Sequence, residues 1–189
     1  MDEKELLELL ESSGALRNGH FKLSSGRHSD TYVQCALLLR DPDDAVRVGN
    51  ALAEKVEGEV GLVLCPALGA VVIGFTVALA LGVELVFAER HNGKMELRRG
   101  FEIPAGSRVL LVEDVITTGG SIMELARMVE EAGASVTALC CMVDRGKLDA
   151  GEYRLCSLLR LQVASYPPDE CPLCARGVPI DAPGSRYTG

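Results

Sequence analysis

The spacing of apolar residues divides the chain into short runs typical of strands and longer stretches typical of helices. Clustered leucines predict an amphipathic helix over Glu3–Ser12, and Asp41 offers a cap for a second helix that runs to about Val56. From residue 60 onward, apolar runs predict strands at 60–65, 84–88, 108–113 and 135–143, and helices at 71–81 and 121–132. Strands joined through helices predict an α/β fold whose mostly parallel sheet is covered on both faces.

The ends of the chain have a different pattern. Residues 19–30 alternate and turn like a hairpin with exposed polar groups. The tail from Tyr166 is rich in Pro, Gly and Cys, which predicts an irregular return that packs near the amino-terminal segment. We expect one domain with a core from about residue 41 to residue 161.

Composition and charge exclude several classes of protein. With 189 residues and 48% hydrophobic residues, the chain can bury a substantial core. Its net charge of -8 gives no electrostatic support for non-specific nucleic-acid binding. The charged amino terminus lacks the layout of a secretory signal, and the most apolar stretch, 60–87, is interrupted by Pro66, several glycines and Glu84. We therefore expect a cytoplasmic protein with no nucleic-acid partner and no membrane association.

The most informative motif follows the predicted strand 108–113. Glu113 and Asp114 are succeeded by two threonines, two glycines and Ser121, and then by a helix. Glycines let the backbone approach an anion, hydroxyls and backbone N–H groups donate hydrogen bonds, and the helix amino end adds a positive dipole. The carboxylates suit the vicinal hydroxyls of a ribose. A turn that only caps the helix is the alternative, but nine such residues in succession favour a site for a phosphorylated ribose.

A locally basic segment lies between the strands predicted at 84–88 and 108–113. It holds Arg90, His91, Lys94, Arg98 and Arg99, whereas the chain as a whole is acidic. Fixed cations stabilise negative charge that develops on a leaving group, and Gly93 and Gly100 permit hinge motion, so we predict a mobile loop that closes over the site. The alternative is a solvated hairpin whose charges face water.

Three other features carry candidate chemistry. Arg145 follows the strand 135–143, where α/β sheets bind ligands, although an ordinary surface arginine is the alternative. His20 and His28 either line a base site or take a hydrogen-bonded structural role. The seven cysteines are mostly predicted to be buried thiols. Cys171 and Cys174 supply only two of four metal ligands and no second CxxC exists, so we predict no metal held by protein ligands, with zinc or a disulfide as alternatives.

The motif at 113–121 resembles the phosphoribosyl pyrophosphate motif of the type I phosphoribosyltransferases. Residues 19–29, 66–70 and 89–101 resemble the corresponding parts of bacterial and archaeal orotate phosphoribosyltransferases, as do residues 143–145 and 171–174. The resemblance implies the type I phosphoribosyltransferase fold, with a small hood made from about 1–40 plus 162–189. It also implies a homodimer, in which the loop reaches the neighbouring subunit's site, and a magnesium ion (Mg2+) that accompanies the pyrophosphate.

The reaction implied by the resemblance joins orotate to phosphoribosyl pyrophosphate, giving orotidine monophosphate and pyrophosphate in pyrimidine synthesis. Catalysis is assigned to Asp114, Lys94 and Arg90, and orotate binding to Thr117 and Arg145. By the same resemblance, the residues implied to bind phosphoribosyl pyrophosphate are Arg90, Lys94, Glu113, Asp114, Val115, Ile116, Thr117, Thr118, Gly119, Gly120 and Ser121.

The sequence departs from the family pattern at several positions. Glu96 stands where the family loop commonly has histidine, and Ser24 stands where many members carry lysine. Many members carry a further lysine near residues 68–69, so we expect fewer pyrophosphate contacts here unless Arg98, Arg99 or Lys22 substitutes for the missing cations. Two other functions stay open: a purine or xanthine phosphoribosyltransferase, and a non-catalytic regulator that senses phosphoribosyl pyrophosphate. The acidic charge and the lack of a helix-turn-helix region disfavour DNA binding by such a regulator.

Overall fold

The computed structural model describes residues 1–23 and 25–183. The helices are α1 (Glu3–Ser12), α2 (Ala36–Leu39), α3 (Pro42–Ala53), α4 (Val71–Leu81), α5 (Gly120–Glu131) and α6 (Pro172–Ala175), with a 3-10 turn at Pro168–Glu170. The strands are β1 (Leu16–Lys22), β2 (His28–Val33), β3 (Leu62–Pro66), β4 (Glu84–His91), β5 (Lys94–Leu97), β6 (Arg108–Ile116), β7 (Ser135–Asp144), β8 (Leu155–Arg160) and β9 (Ser165–Tyr166).

The predicted helices form where the sequence places their caps. In α1, the Asp2 carboxylate accepts a hydrogen bond from the Glu5 backbone N–H at 2.8 Å. In α3, the Asp41 carboxylate accepts from the N–H groups of Asp43 and Asp44 at 3.0 and 3.2 Å. Each cap satisfies amide groups that have no partner inside the first helical turn. The second helix is confirmed, although it ends at Ala53 and not near Val56.

Six strands form the central sheet in the order β5, β4, β3, β6, β7, β8. Neighbouring strands are parallel throughout, except that β5 runs antiparallel to β4 at the edge. The predicted α/β fold with a mostly parallel sheet is therefore confirmed. Strand β8, which the sequence analysis did not identify, pairs with β7 through Cys140 and Cys156.

The core lies on both faces of this sheet because successive strand residues point to opposite sides. Val63 and Val112 face a first cluster that includes residues of α1, α3 and α4. Leu64 and Leu111 face a second cluster that includes residues of α5. The two clusters hold the carboxyl ends of the strands at one edge of the sheet, where the connecting turns are exposed.

A separate three-stranded sheet, in the order β1, β2, β9, joins the amino-terminal hairpin to the tail. His28 pairs with Tyr166, and Phe21 forms an isolated bridge with Asp181. The predicted hairpin and its packing against the tail are both confirmed. We call this sheet, together with residues 167–183, the hood. The division of the domain into core 41–161 and terminal segments stays a prediction.

Several polar residues of the hairpin are exposed as the sequence pattern predicted, but others are buried. His20, His28 and Ser29 expose only 4%, 7% and 0% of their surfaces. Strand β9 covers the hairpin edge, and Ser29 donates to the Ala164 carbonyl at 2.8 Å. The prediction was wrong for these residues because the tail that buries them lies more than 130 positions away in the sequence.

The basic segment forms a hairpin, as in its alternative interpretation, and its mobility stays a prediction. Strand β4 continues to His91 and pairs with β5, so residues 84–97 form a β-hairpin. Asn92 and Gly93 turn the chain with φ of 49° and 83°, which is the backbone that a two-residue hairpin turn requires. The loop is thus a hairpin followed by residues 98–107. No helix in the two described ranges has both the length and the apolar character needed to cross a bilayer.

Candidate active site

A cavity of about 900 Å³ opens between the carboxyl ends of the sheet and the hood. All nine residues of the 113–121 motif line it. Arg145 and Arg90 also line this cavity. On the opposite side it is lined by residues 22–23, 25, 27 and 32–34, which belong to β1, β2 and the chain next to these strands. The fold therefore brings the predicted phosphate turn, both predicted orotate contacts (Thr117 and Arg145) and one predicted pyrophosphate contact, Arg90, to a single cavity.

Local backbone geometry explains the glycine in the phosphate turn. Gly119 is the amino-terminal cap of α5, and its φ of 78° is a left-handed conformation. A Cβ at this position would also clash with the side chain of Leu148. Thr117 and Thr118 are exposed beside it, and neither hydroxyl has a hydrogen-bond partner among the described residues. The turn thus presents hydroxyls and a helix amino end to the cavity, which is an anion-binding arrangement.

Two adjacent carboxylates stand beside this turn at the end of β6. Burial raises the pKa of Glu113 well above its usual value, and the neighbouring Asp114 carboxylate raises it further. Asp114 accepts a hydrogen bond from the Val115 N–H at 2.8 Å. A Cβ built on Gly69 would lie 3.1 Å from Asp114 Oδ2, so the β3–α4 turn approaches the carboxylate closely.

A second cavity of about 380 Å³ adjoins the first, and both are lined by Gly69, Arg90, Glu113, Asp114 and Ser121. Residues 66–68 line the second cavity but not the first, and the Ala67–Leu68 peptide bond there is cis. The paired carboxylates therefore stand where the two cavities meet. This arrangement allows one elongated ligand to occupy both cavities while its middle contacts the carboxylates.

Arg90 has a defined position at this junction. Its guanidinium donates to the Gly93 carbonyl at 2.6 Å and to Glu124 Oε2 at 2.9 Å. Glu124 also accepts from the Met95 N–H at 2.7 Å, so α5 holds the β4–β5 hairpin at both strands. Lys94, the other predicted cation of this segment, lines neither cavity in the described structure.

Arg145 lies next to the phosphate turn because β6 and β7 are paired. Its backbone N–H donates to the Ile116 carbonyl at 2.9 Å. Burial lowers the pKa of the Arg145 guanidinium, and the charge of Asp30 on β2 opposes this effect. The guanidinium is thus partly withdrawn from solvent on the side of the cavity that faces the hood.

The hood supplies cavity residues that the sequence analysis left unassigned. Of the three candidate substitutes for missing cations, Lys22 lines the main cavity, whereas Arg98 and Arg99 line neither cavity. The Arg99 guanidinium instead pairs with the Glu89 carboxylate at 2.9 Å. Arg27 and Lys147 also line the main cavity, and both donate to Ser165. Their basic character was visible in the sequence, but only the packing of the hood reveals which cavity they face. Ser24 lies outside the described residues.

The histidines of the hairpin meet the cysteines of the tail. His20, His28, Cys171 and Cys174 place one donor atom each within 4.8 Å of one another. His20 and His28 line neither cavity, so the structure supports their structural role and not a base site. The earlier count of only two ligands around the CxxC pair was therefore wrong, because two histidines complete a set of four.

Comparison with known proteins identifies the family. Residues 42–157 match the family model described as "Phosphoribosyl transferase domain". The orotate phosphoribosyltransferase of Chlorobaculum parvum is 48% identical over 98% of this chain and 97% of its own length, and that of Pelotomaculum thermopropionicum is 46% identical over 98% and 99%. The crystal structure of orotate phosphoribosyltransferase from Aeropyrum pernix is 31% identical, with a TM-score of 0.70 over 83% of this chain and 94% of that one. With its fold, cavity and full-length similarity taken together, this chain belongs to the type I phosphoribosyltransferases and, within them, to the orotate phosphoribosyltransferase family.

Proposed function

We propose that this chain transfers the phosphoribosyl group of phosphoribosyl pyrophosphate to orotate, giving orotidine monophosphate and pyrophosphate in pyrimidine synthesis. The observation that carries the proposal is the convergence of the whole 113–121 motif, Arg90 and Arg145 on one cavity. Two relatives that are 46–48% identical over 98% of this chain are orotate phosphoribosyltransferases, which supports orotate as the base.

The sugar phosphate is expected to occupy the turn and the carboxylates. Its terminal phosphate accepts hydrogen bonds from the turn at 117–121, at the amino end of α5. Its ring hydroxyls donate to Glu113 and Asp114. Because ionised carboxylates only accept hydrogen bonds, the donating hydroxyls stabilise the ionised form of Glu113, whose pKa burial raises in the protein without substrate.

The pyrophosphate is expected to lie in the smaller cavity beside residues 66–69 and Arg90. As the bond between ribose C1 and the pyrophosphate oxygen breaks, positive character develops on the sugar and negative charge on the leaving group. Asp114 favours the first charge and Arg90 favours the second. A ring nitrogen of orotate forms the new bond to C1 and gives up its proton, while the leaving pyrophosphate keeps the electron pair of the old bond and can accept that proton.

Orotate carries a carboxylate, which suits the planar guanidinium of Arg145. Thr117 lies on the same wall of the cavity, and Lys22 contributes a further cation from the hood. We propose that Lys94 contacts the pyrophosphate in a closed state, in which the β4–β5 hairpin moves over the pyrophosphate and excludes water. Exclusion of water matters because water competes with orotate for the sugar.

The donor set fits a magnesium ion bound together with the substrate. Glu113 and Asp114 line both cavities, and magnesium in proteins takes oxygen ligands from one or two carboxylates together with substrate phosphates. When bound, the ion neutralises charge on the pyrophosphate group. Asp114 then has two roles in the proposal, one toward the ion and one toward the ribose.

We also propose that the chain forms a homodimer through α4. This helix exposes Val72, Phe75 and Leu79 by 44%, 58% and 59%, and their spacing puts them on one face. Leu68, just before the helix, is 84% exposed. Large apolar side chains grouped in this way are typical of interaction surfaces. Phe75→Glu is expected to convert a dimer to a monomer in sedimentation, while a dimer unchanged by the substitution contradicts this surface.

Turnover measured with orotate and with a panel of purine bases tests the reaction. We expect pyrophosphate release and loss of orotate in equal amounts, and no turnover with adenine, guanine or xanthine. Turnover with purines alone favours a purine phosphoribosyltransferase, and binding of phosphoribosyl pyrophosphate without any turnover favours a regulator. A cytoplasmic location is part of the proposal, since seven free cysteines, six of them buried, suit a reducing compartment.

A further inference from the structure

A compact group of four metal-binding side chains lies in the hood. His20 comes from β1, His28 from β2, and Cys171 and Cys174 flank the start of α6. The two histidines and Cys171 expose only 4%, 7% and 3% of their surfaces, while Cys174 is exposed. Four potential ligands from three separate elements therefore meet at one point.

Four of the six distances between donor atoms in the group are close to those of a tetrahedral metal site, and all six are within 4.8 Å. His20 Nε2 lies 3.5 Å from Cys171 Sγ and 3.7 Å from Cys174 Sγ. His28 Nδ1 lies 3.2 Å from Cys174 Sγ and 3.1 Å from His20 Nε2. Zinc bonds of about 2.3 Å to sulfur and about 2.0–2.1 Å to nitrogen put tetrahedral ligand atoms about 3.3–3.8 Å apart. The observed separations agree with that spacing to within a few tenths of an ångström.

The hydrogen bonding of His20 directs its lone pair into the group. Its Nδ1 lies 2.8 Å from the Val178 carbonyl oxygen, which can only accept a hydrogen bond. The hydrogen of the neutral ring is therefore on Nδ1, and Nε2 presents a lone pair to the two sulfur atoms. Metal-bound histidines commonly donate their second ring nitrogen to a carbonyl in this way.

We propose that His20, His28, Cys171 and Cys174 bind one zinc ion as a structural site. Two thiolates and two imidazoles are a ligand set that selects zinc over magnesium or calcium, which prefer oxygen. Because the protein supplies all four ligands, no position is left for a substrate or a reactive water, and the site is closed.

The position of the site explains what the ion does for the molecule. It connects the β1–β2 hairpin to the tail, two segments that are also joined by the short pairing of β2 with β9 and by the bridge between Phe21 and Asp181. Lys22 follows His20 by two residues, Arg27 precedes His28, and both line the main cavity. The bound ion therefore fixes the part of the hood that covers the cavity, and its removal is expected to loosen the hood while the central sheet stays folded.

Metal analysis of untagged protein, purified without chelators from cells given zinc, tests the site. We expect about one zinc ion per chain in the wild type and less than about a tenth in Cys171→Ser and Cys174→Ser, since each variant loses a ligand. Cys156→Ser is the matched control, because this thiol is outside the group and the variant should keep its zinc. Circular dichroism confirms that each variant is folded.

Cobalt titration of the metal-free wild type gives a second measurement that needs no variant. Bound Co2+ should show the visible bands of a tetrahedral ion and thiolate-to-cobalt charge transfer, and zinc should abolish both. Wild-type protein without zinc and without this spectrum would overturn the proposal. A disulfide between Cys171 and Cys174 in freshly purified protein, or equal zinc in all three cysteine variants, would do the same. The outcome is independent of the proposed reaction, because neither measurement uses its substrates.

Discussion

Gly119→Ala is the substitution that most directly tests the geometry of the phosphate turn. A left-handed conformation costs a residue with a Cβ about 1–2 kcal/mol. The new methyl group also meets the terminal methyl of Leu148, a side chain that can rotate away, so the steric cost is about 1 kcal/mol, the lower end of the range for overpacking. We therefore expect the free energy of unfolding to fall by about 2–3 kcal/mol, which lowers the midpoint of thermal unfolding by about 4–12 °C for a chain of this size.

Gly120→Ala is the matched control for this experiment. Gly120 is the first residue of α5, and a Cβ there has no neighbour within 4 Å. Alanine is also the better helix former, so the control should be at least as stable as the wild type. Denaturant unfolding of both variants measures the difference.

A double-mutant cycle with Leu148→Ala separates the two contributions. The cycle should return a coupling energy of about 1 kcal/mol for the steric part, and the conformational cost of Gly119→Ala should persist in the double variant. If Gly119→Ala is as stable as Gly120→Ala, the turn does not require glycine and the reasoning is refuted. If the coupling energy is zero, the contact with Leu148 has no energetic consequence.

The remaining predictions concern the charged residues of the cavity. Arg145→Ala should raise KM for orotate by about 10- to 100-fold, because a charge-assisted hydrogen bond is worth about 1.5–3 kcal/mol, while KM for phosphoribosyl pyrophosphate and stability stay near wild type; equal effects on both KM values would contradict a base contact. Asp114→Asn should lower kcat by about 100-fold or more with an unchanged circular dichroism spectrum, and an active variant would remove Asp114 from the chemistry. Glu113→Gln should stabilise the substrate-free protein at neutral pH: the raised pKa means that ionisation costs more in the folded than in the unfolded chain, so wild-type stability is lost as pH rises from the usual glutamate pKa through the raised one. Denaturant unfolding from about pH 4 to about pH 8 should therefore show the two proteins diverging as pH rises, and curves that stay parallel would contradict the shift.

Local signals in the sequence were sufficient to predict most helices and strands of the core. Asp41 and Pro42 before an apolar repeat are a typical helix start, and the run from Val109 to Val112 is too apolar for a strand with a solvated face. The phosphate turn could also be predicted from the sequence, because its residues are consecutive and its chemistry depends on the local backbone. The Asn92-Gly93 turn was also a local signal, and it would have predicted the β4–β5 hairpin.

The tertiary structure alone decided which distant residues meet. The sequence determined an α/β sheet with a phosphate turn at the carboxyl end of one strand, because both follow from short-range pattern and local hydrogen bonding. It did not determine that Lys22 and Arg27 face the same cavity as Arg145, or that His20 and His28 meet Cys171 and Cys174. Those contacts depend on how the hood packs, and packing is set by the sum of many long-range contacts that no local pattern records.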